Sequence, residues 1–340
     1  VTGPFRKPIR IGSRRSTLAL TQTGLIADRL RTLGHQVEIV EIVTEGDTNR
    51  ASLSQLGGTG IFATAIRNAL HDGRIDLTVH SLKDLPTAPA DGLTVAAIPQ
   101  REDPRDVLVA RDGLTLGELP VDSVVGTGAP RRAAQLAALG LGLRTRDIRG
   151  NVDSRVELVR RGVVDAVVLA RAGMSRLGRL DEVTEVIDPL QVLPAPGQGA
   201  LALEIRTADT QLHEALHVLD HPDTRAAVTA ERAVLARLEA GCAAPLGALA
   251  EISEDLDGRL EVSLRAFVGR LDGSFELRRS MTGPLDKAER IGHDLAQQLL
   301  DDGALEAFAP SDHPPEPPPG GHLPTDANPV TDIHHQRRGA

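Results

Sequence analysis

Cys242 is the single cysteine of a 340-residue chain, set in Leu238-Glu239-Ala240-Gly241-Cys242-Ala243-Ala244-Pro245 with almost nothing around its sulfur. A lone thiol has no disulfide partner within the chain, and a metal site built on it would need histidine or carboxylate for its other ligands. Two readings stay open: an inert, buried apolar side chain, or a nucleophile or attachment point that glycine and alanine leave open to something bulky. A second stretch, His80-Ser81-Leu82-Lys83-Asp84-Leu85-Pro86, brings a hydroxyl, an ammonium and a carboxylate together. Lys83 is one of three lysines, with Lys7 and Lys287, and every other basic side chain besides histidine is arginine. Asp84 taken alone reads as a turn or capping residue. Arginines stand in groups: Arg14 near Ser16, Arg131 with Arg132, Arg149 near Arg155, and Arg171 near Arg176. A guanidinium is a planar, permanently charged fork matched to carboxylates, so grouped arginines in an acidic chain need a local reason.

The elements that position these residues alternate between strand and helix. Arg10-Ile11-Gly12-Ser13-Arg14 reads as a strand entering a helix that Ser16 caps and Gly34 closes, followed by a strand over 37–43. That β-α-β order implies a parallel sheet, with Arg14 and Ser16 at the ligand crevice beyond a strand end. Residues 44–60 lack periodicity and finish in Leu56-Gly57-Gly58-Thr59-Gly60, a glycine-rich loop without the Gly-Lys-Ser/Thr ending of a P-loop, so ATP is not implied. A helix over 61–71 and a strand over 75–79 place Lys83 and Asp84 just past a strand's C-terminal end. After a strand over 93–98, Arg101-Glu102-Asp103-Pro104-Arg105-Asp106 is charged and proline-broken, and reads as a first crossing into another domain.

Beyond that crossing, Val124-Val125-Gly126-Thr127 is a strand and Pro130 suits the first turn of a helix carrying Arg131 and Arg132. Two guanidiniums beside free helix amides make an anion site. They also oppose the helix dipole, which a purely structural role explains poorly. Arg149-Gly150-Asn151 is another turn, with Asn151 as N-cap, and a buried strand over 163–169 leads to a short helix with Arg171 and Arg176. Three successive strand-to-helix junctions thus deliver arginines to one sheet edge, which favours a cleft for a polyanion. Leu193-Pro194-Ala195-Pro196-Gly197-Gln198-Gly199 reads as the return crossing. The expected fold class is α/β: two periplasmic-binding-protein-like lobes joined by a two-segment hinge, plus a small α+β third domain. The expected domains are 1–101 with 200–220, 102–199 and 221–308, followed by a disordered tail over 309–340.

Composition narrows the function classes. With 41% hydrophobic and 25% charged residues the chain is an ordinary soluble globular one. A net charge of -9, no Trp or Tyr, and only Phe5, Phe62, Phe267, Phe275 and Phe308 argue against a nucleic-acid partner. No apolar run approaches the roughly 18 residues of a membrane span, and residues 1–10 lack a signal-peptide core. The reading is therefore a cytoplasmic protein with no membrane partner. Nothing positions His313, His322, His334 and His335 of the tail for a defined metal geometry, so no metal is expected.

In order and spacing, Arg10-Ile11-Gly12-Ser13-Arg14, the His80 to Pro86 stretch, Arg131-Arg132, Arg149-Gly150-Asn151, Pro196-Gly197-Gln198-Gly199 and Glu239-Ala240-Gly241-Cys242 resemble the porphobilinogen deaminase family, also called hydroxymethylbilane synthases, over residues 9–308. The resemblance implies a monomeric transferase of tetrapyrrole and haem biosynthesis. Such an enzyme joins four porphobilinogen molecules head to tail, releases ammonia, and hydrolyses off the linear tetrapyrrole hydroxymethylbilane. It also implies a dipyrromethane cofactor held as a thioether on Cys242, which then carries a primer rather than attacking substrate. Asp84 would be the catalytic group. Ser81, Lys83, Asp84, Thr127, Arg131, Arg132, Arg155 and Gln198 would hold the cofactor, while Arg14, Ser16, Phe62, Arg149, Arg155 and Arg176 would meet the substrate or the growing chain. The glycine-rich loop would be a lid against water.

Two departures from the family pattern stand out. Gln55 and Thr59 replace frequent lysines of the glycine-rich loop, and Gly128 and Ala129 replace two serines. The latter motivates an inactive relative as an alternative. A non-catalytic two-lobed carboxylate-binding protein would explain the lobes and arginines, but neither Lys83-Asp84 nor the accessible cysteine.

Overall fold

The computed structural model describes residues 5, 7–43, 61–238 and 244–308, and the statements below concern these. The glycine-rich loop with Gln55 and Thr59, Cys242 and its neighbours 239–243, and the expected tail lie outside them. Strand β1 (Ile9–Ser13), whose Ile11 is wholly buried, pairs in parallel with β2 (Val37–Glu41) and β3 (Leu77–Ser81). Helix α1 (Thr17–Thr32) connects the first two. Its N-cap Ser16 accepts a hydrogen bond from the Ala19 N–H at 3.4 Å, and Gly34 follows its end at φ +88°. Helix α2 (Ile61–His71) precedes β3, and β4 (Leu93–Ala97) ends this first passage through the sheet.

The second sheet opens with β5 (Asp106–Ala110), buried along its whole length, where the sequence reads only a charged crossing. An aspartate at the head of an apolar run looks like a loop residue until its neutralising partners are known. Then come β6 (Val124–Gly126), α3 (Pro130–Ala138), β7 (Arg144–Arg146), α4 (Val152–Arg160), β8 (Ala166–Ala170), α5 (Arg171–Arg176) and β9 (Glu185–Val186). The strand order is β7-β6-β8-β5-β9. Strand β10 (Leu201–Arg206) returns to the first sheet and inserts between β3 and β4, giving β2-β1-β3-β10-β4. The first sheet is parallel across β2, β1 and β3, as the β-α-β order implies, but mixed as a whole: β10 runs antiparallel to both neighbours because it enters from the other lobe, and β5 is antiparallel to β8 for the same reason.

Helices α6 (Thr210–Leu216) and α7 (Pro222–Arg237) lead to an antiparallel sheet of β11 (Leu246–Glu254), β12 (Leu260–Gly269) and β13 (Glu276–Pro284), followed by α8 (Ala288–Asp301). Val234, Leu264, Val268, Leu295 and Leu299 form the centre of this third core. Two α/β lobes and a small α+β unit are therefore present. Among the described residues no helix is long and apolar enough to cross a membrane.

The two crossing segments lie side by side. Gly199 sits at φ +87°, and a Cβ there would stand 2.3 Å from the Glu102 carbonyl oxygen, so only glycine lets the strands approach this closely. One carboxylate fastens both segments to the third unit. Glu231 of α7 is fully buried and receives Arg101 through two bonds (2.6 and 3.0 Å), the Gly197 N–H at 2.6 Å and the Ala250 N–H at 2.9 Å. Removing one member of such a buried pair strands the other charge. Glu231→Ala is expected to cost about 3–5 kcal/mol in urea unfolding; a loss below about 1 kcal/mol would show that the hinge does not depend on it.

Candidate active site

The turn after β3 is a single 3-10 turn, Leu82–Asp84. Leu82 and Leu85 are buried, at 2% and 3% exposure, so the three-residue period sends Lys83 and Asp84 the other way. Asp84 is exposed, and its carboxylate accepts no hydrogen bond among the described residues. Ser81, just ahead, exchanges hydrogen bonds with Gln22 of α1 at 3.1 and 3.2 Å. Gln22 was not foreseen from sequence, since nothing local marks a buried glutamine in α1 as a partner for β3.

Lys83 begins a chain of contacts that crosses from one lobe to the other. Its Nζ donates to Gln198 Oε1 at 3.3 Å, and Gln198 Nε2 donates to the Pro104 carbonyl at 2.7 Å and to Asp106 Oδ1 at 2.8 Å. Asp106, fully buried, also receives Arg131 and Arg132, both at 2.8 Å. Arg131 further donates to the Leu193 carbonyl and Arg132 to that of Val168. A structural account of the two arginines therefore exists, contrary to the reading from the helix dipole: β5 places an unforeseen carboxylate beside the first turn of α3. The account is incomplete, because Arg132 Nε is buried with no acceptor. A buried N–H left without an acceptor costs about 1–3 kcal/mol.

Burial alone would raise the Asp106 carboxyl, but Arg131 and Arg132, with hydrogen bonds from Arg132 and Gln198, outweigh it and hold the group far below the usual carboxylate range. Lys83 shows the opposite balance. Surrounded by protein, although part of its surface stays open, it is pushed down to about 8 by desolvation and by Arg132 and Arg131, against the pull of Asp84 and Asp106. Arg155 is lowered by burial and then by Arg132 and Arg149, with Asp147 and Asp84 acting the other way. It remains a cation, as arginine does in proteins. Lys83, Asp84, Asp106, Arg131, Arg132, Arg149 and Arg155 thus form one electrostatic cluster drawn from both lobes.

The other sequence-selected residues fall around it. Arg155 Nε donates to the Gly150 carbonyl at 2.9 Å from α4, whose N-cap Asn151 accepts the Ser154 N–H at 2.9 Å as expected. Arg149 is exposed and pairs with Asp147 at 3.2 Å. Arg176 donates to the Gly199 carbonyl at 2.6 Å, so this guanidinium is tied to the hinge. Arg14 is half-buried beyond β1, and Ser16 serves as a cap. Phe62 lies in α2, but its side chain is outside what is described. Thr127 is buried, and its Oγ1 accepts the Ala129 N–H at 3.2 Å. At Gly128 a Cβ would meet the Ile148 carbonyl oxygen at 2.6 Å, so this loop as built has no room for the serine it lacks.

The chain matches two family models, "Porphobilinogen deaminase, dipyromethane cofactor binding domain" over residues 9–214 and "Porphobilinogen deaminase, C-terminal domain" over residues 225–301. The chain belongs to the porphobilinogen deaminase family. It is 57% identical over 302 residues to the porphobilinogen deaminase of Mycobacterium tuberculosis H37Rv, covering 88% of this chain and 97% of that protein. Against the Mycobacterium marinum deaminase it is 56% identical, over 88% and 96%. Among solved structures, an ancestral arginine-binding protein bound to arginine matches at 15% identity and a TM-score of 0.36, over 63% of this chain and 91% of that one. A YaeC-family lipoprotein from Enterococcus faecalis matches at 13% and 0.38, over 63% and 90%. At these values the structural likeness says nothing of ligand or activity. Family membership does: the chain is a transferase of porphyrin biosynthesis that polymerises porphobilinogen, and its first matched region is a dipyrromethane cofactor-binding domain.

The deaminase cluster fits such a cofactor. Each of its pyrroles carries two carboxylates, and Lys83, Arg131, Arg132 and Arg155 offer four cations, partly offset by Asp106. The unpartnered Arg132 Nε is a donor awaiting an acceptor.

Lys83 makes this testable by pH. Below about 8 it is charged whether the chain is folded or not, and the fold bears the cost of burying it; between about 8 and its ordinary 10.5 only the unfolded chain keeps the proton. The unfolded state then binds more protons, so this group's contribution to stability rises with pH across that window. In cofactor-free protein, the unfolding free energy of wild type relative to Lys83→Met is expected to climb from pH 8 to 10. A flat difference would show that Lys83 is not desolvated.

Proposed function

We propose that the chain is a hydroxymethylbilane synthase in which Asp84 is the catalytic group and Cys242 carries the dipyrromethane as a thioether. The supporting observation is the position of Asp84: an exposed carboxylate with no hydrogen bond among the described residues, at the end of a turn fixed on both flanks, beside Lys83 and within electrostatic reach of Arg155. A carboxylate whose acceptor sites are already filled could not receive the pyrrole N–H of a substrate; this one is open.

Loss of ammonia from porphobilinogen leaves an azafulvene whose positive charge is delocalised onto the pyrrole nitrogen. Asp84, held beside that N–H, stabilises the cation while it forms and while a pyrrole carbon attacks it, and then favours release of the ring proton. When bound, the dipyrromethane supplies the free pyrrole carbon at which the first addition occurs. Lys83, Arg131, Arg132 and Arg155 hold its carboxylates, with Ser81, Thr127 and Gln198 positioning donors and turns around them. Arg14, Ser16, Phe62, Arg149 and Arg176 belong to the substrate and elongation side in this reading. Arg176 spends only Nη2 on the Gly199 carbonyl and Ser16 Oγ only accepts the Ala19 N–H, so the other guanidinium N–H groups and the Ser16 O–H are the donors that would meet a carboxylate.

The domain division at 1–101 with 200–220, 102–199 and 221–308 is part of the proposal, supported by the three sheets and the paired crossings. So is a cytoplasmic monomer, a setting suited to a single thiol. Intact-mass measurement is expected to show the excess of two linked pyrrole units, resistant to thiol reductants and absent from Cys242→Ala. Asp84→Ala is expected to lose at least about 100-fold in turnover while staying folded and loaded. An unmodified wild-type chain from cells that make porphobilinogen, or near-normal turnover by the Asp84 variant, would defeat the corresponding half of the reading.

A further inference from the structure

We propose that Arg232 is a positioning residue for the reaction, locking the turn that carries Asp84 to the helix that precedes Cys242 in the chain; this rests on the reading of Asp84 given above. The geometry is a three-point clamp. Arg232 Nη1 donates to the carbonyls of Leu82 at 3.1 Å and Leu85 at 2.8 Å, and its Nη2 donates to that of Pro86 at 2.7 Å. Those carbonyls bracket Asp84 on both sides. Upstream the turn is tied to the hinge strand, with the Leu82 N–H donating to the Ala200 carbonyl at 3.0 Å. Downstream no strand holds it until β4, and the guanidinium fork takes that place.

Packing does not fix the turn by itself. Leu82 and Leu85 meet Val228 of α7 in a small apolar cluster. Beside that cluster, however, a cavity of about 260 Å³ opens between the turn, Val95, Val228, Ala233 and Ala236. Side chains that face this open pocket lack packing partners on that side. Three hydrogen bonds to a charged donor then set where the backbone sits, each stronger than its neutral counterpart. Lysine cannot reproduce this, since one ammonium on a flexible stem has no fork to span three carbonyls.

The adjacent residue gives the clamp its meaning. Glu231 and Arg232 are consecutive on α7: the first holds both crossing segments, the second holds the catalytic turn, and the helix ends at Arg237, just before residues 239–243. Asp84 is therefore referenced to the same rigid element that leads to Cys242, and not only to its own lobe. A reaction that repeats at one carboxylate while its product stays tethered to Cys242 needs this registration at every addition.

The test uses the full-length, cofactor-loaded enzyme. Arg232→Met is expected to lower kcat by about 10- to 100-fold, the scale of a small misplacement of a catalytic group, with KM for porphobilinogen within about threefold and normal dipyrromethane loading by intact mass. Arg232→Lys is expected to recover part of kcat but not all, and it decides the matter if the Met variant does not fold. A kcat within about twofold of wild type in either loaded variant would overturn the inference. So would a loss confined to KM or to cofactor loading, since that would mark Arg232 as a binding residue. Wild-type enzyme and Asp84→Ala are assayed alongside. Active wild type with an inactive Asp84 variant upholds the functional reading whatever Arg232 does, whereas an inactive wild type would sink both.

Discussion

One buried carboxylate decides how much positive charge this cleft can hold. Four cations from two lobes would repel one another strongly in a desolvated space, and without a counter-charge the lobes would be driven apart. Asp106 sits between Arg131 and Arg132, takes a third hydrogen bond from Gln198, and through Gln198 reaches Lys83. It keeps the cluster together without neutralising it. A surplus of cations remains, together with one guanidinium N–H that still lacks an acceptor. The site is thus assembled by an internal anion and keeps a net positive charge.

Helix α7 plays the corresponding part for the backbone. Its Glu231 joins the two crossings and the third sheet in one set of buried bonds, so the hinge between the lobes is also the seat of the third unit. Within the first sheet, Arg67 of α2 and His80 of β3 share the Glu204 carboxylate of β10 at 2.8 and 3.0 Å. That triad, centred on the buried Glu204, ties the helix bearing Phe62 to the strand that ends at Ser81. The residues around Asp84 are therefore held by long-range polar bonds as well as by the sheet itself.

Much of this was legible in the sequence wherever the cause is local. Ser16, Asn151, Pro130 and Gly34 mark helix ends because capping and positive φ depend on one or two neighbouring residues, and the structure places each where its type predicts. Lys83 and Asp84 were visible as an unusual pair at a strand end. What stayed hidden lies far away along the chain. Asp106 is 25 residues from Arg131, Gln22 is 59 from Ser81, and Arg232 is 150 from Leu82. Whether an acid sits beside a helix turn depends on strand order, and the insertion of β5 beside β8 was the part of the topology that composition could not supply. The same blindness turned Arg131 and Arg132 into apparently free charges.

Gly128 has a consequence for how such a site can change over evolutionary time. Its backbone approaches the Ile148 carbonyl so closely that any side chain at 128 would force the two loops apart, and Ile148 directly precedes Arg149. Glycine at this position gives the loop its close approach and brings no hydroxyl donor. Serine at 128 is then not a single step but a paired one, requiring the 147–149 segment to retreat at the same time. The two loops are sterically coupled, and a chimera that takes one of them from a serine-bearing relative would inherit a steric conflict along with the extra hydroxyl.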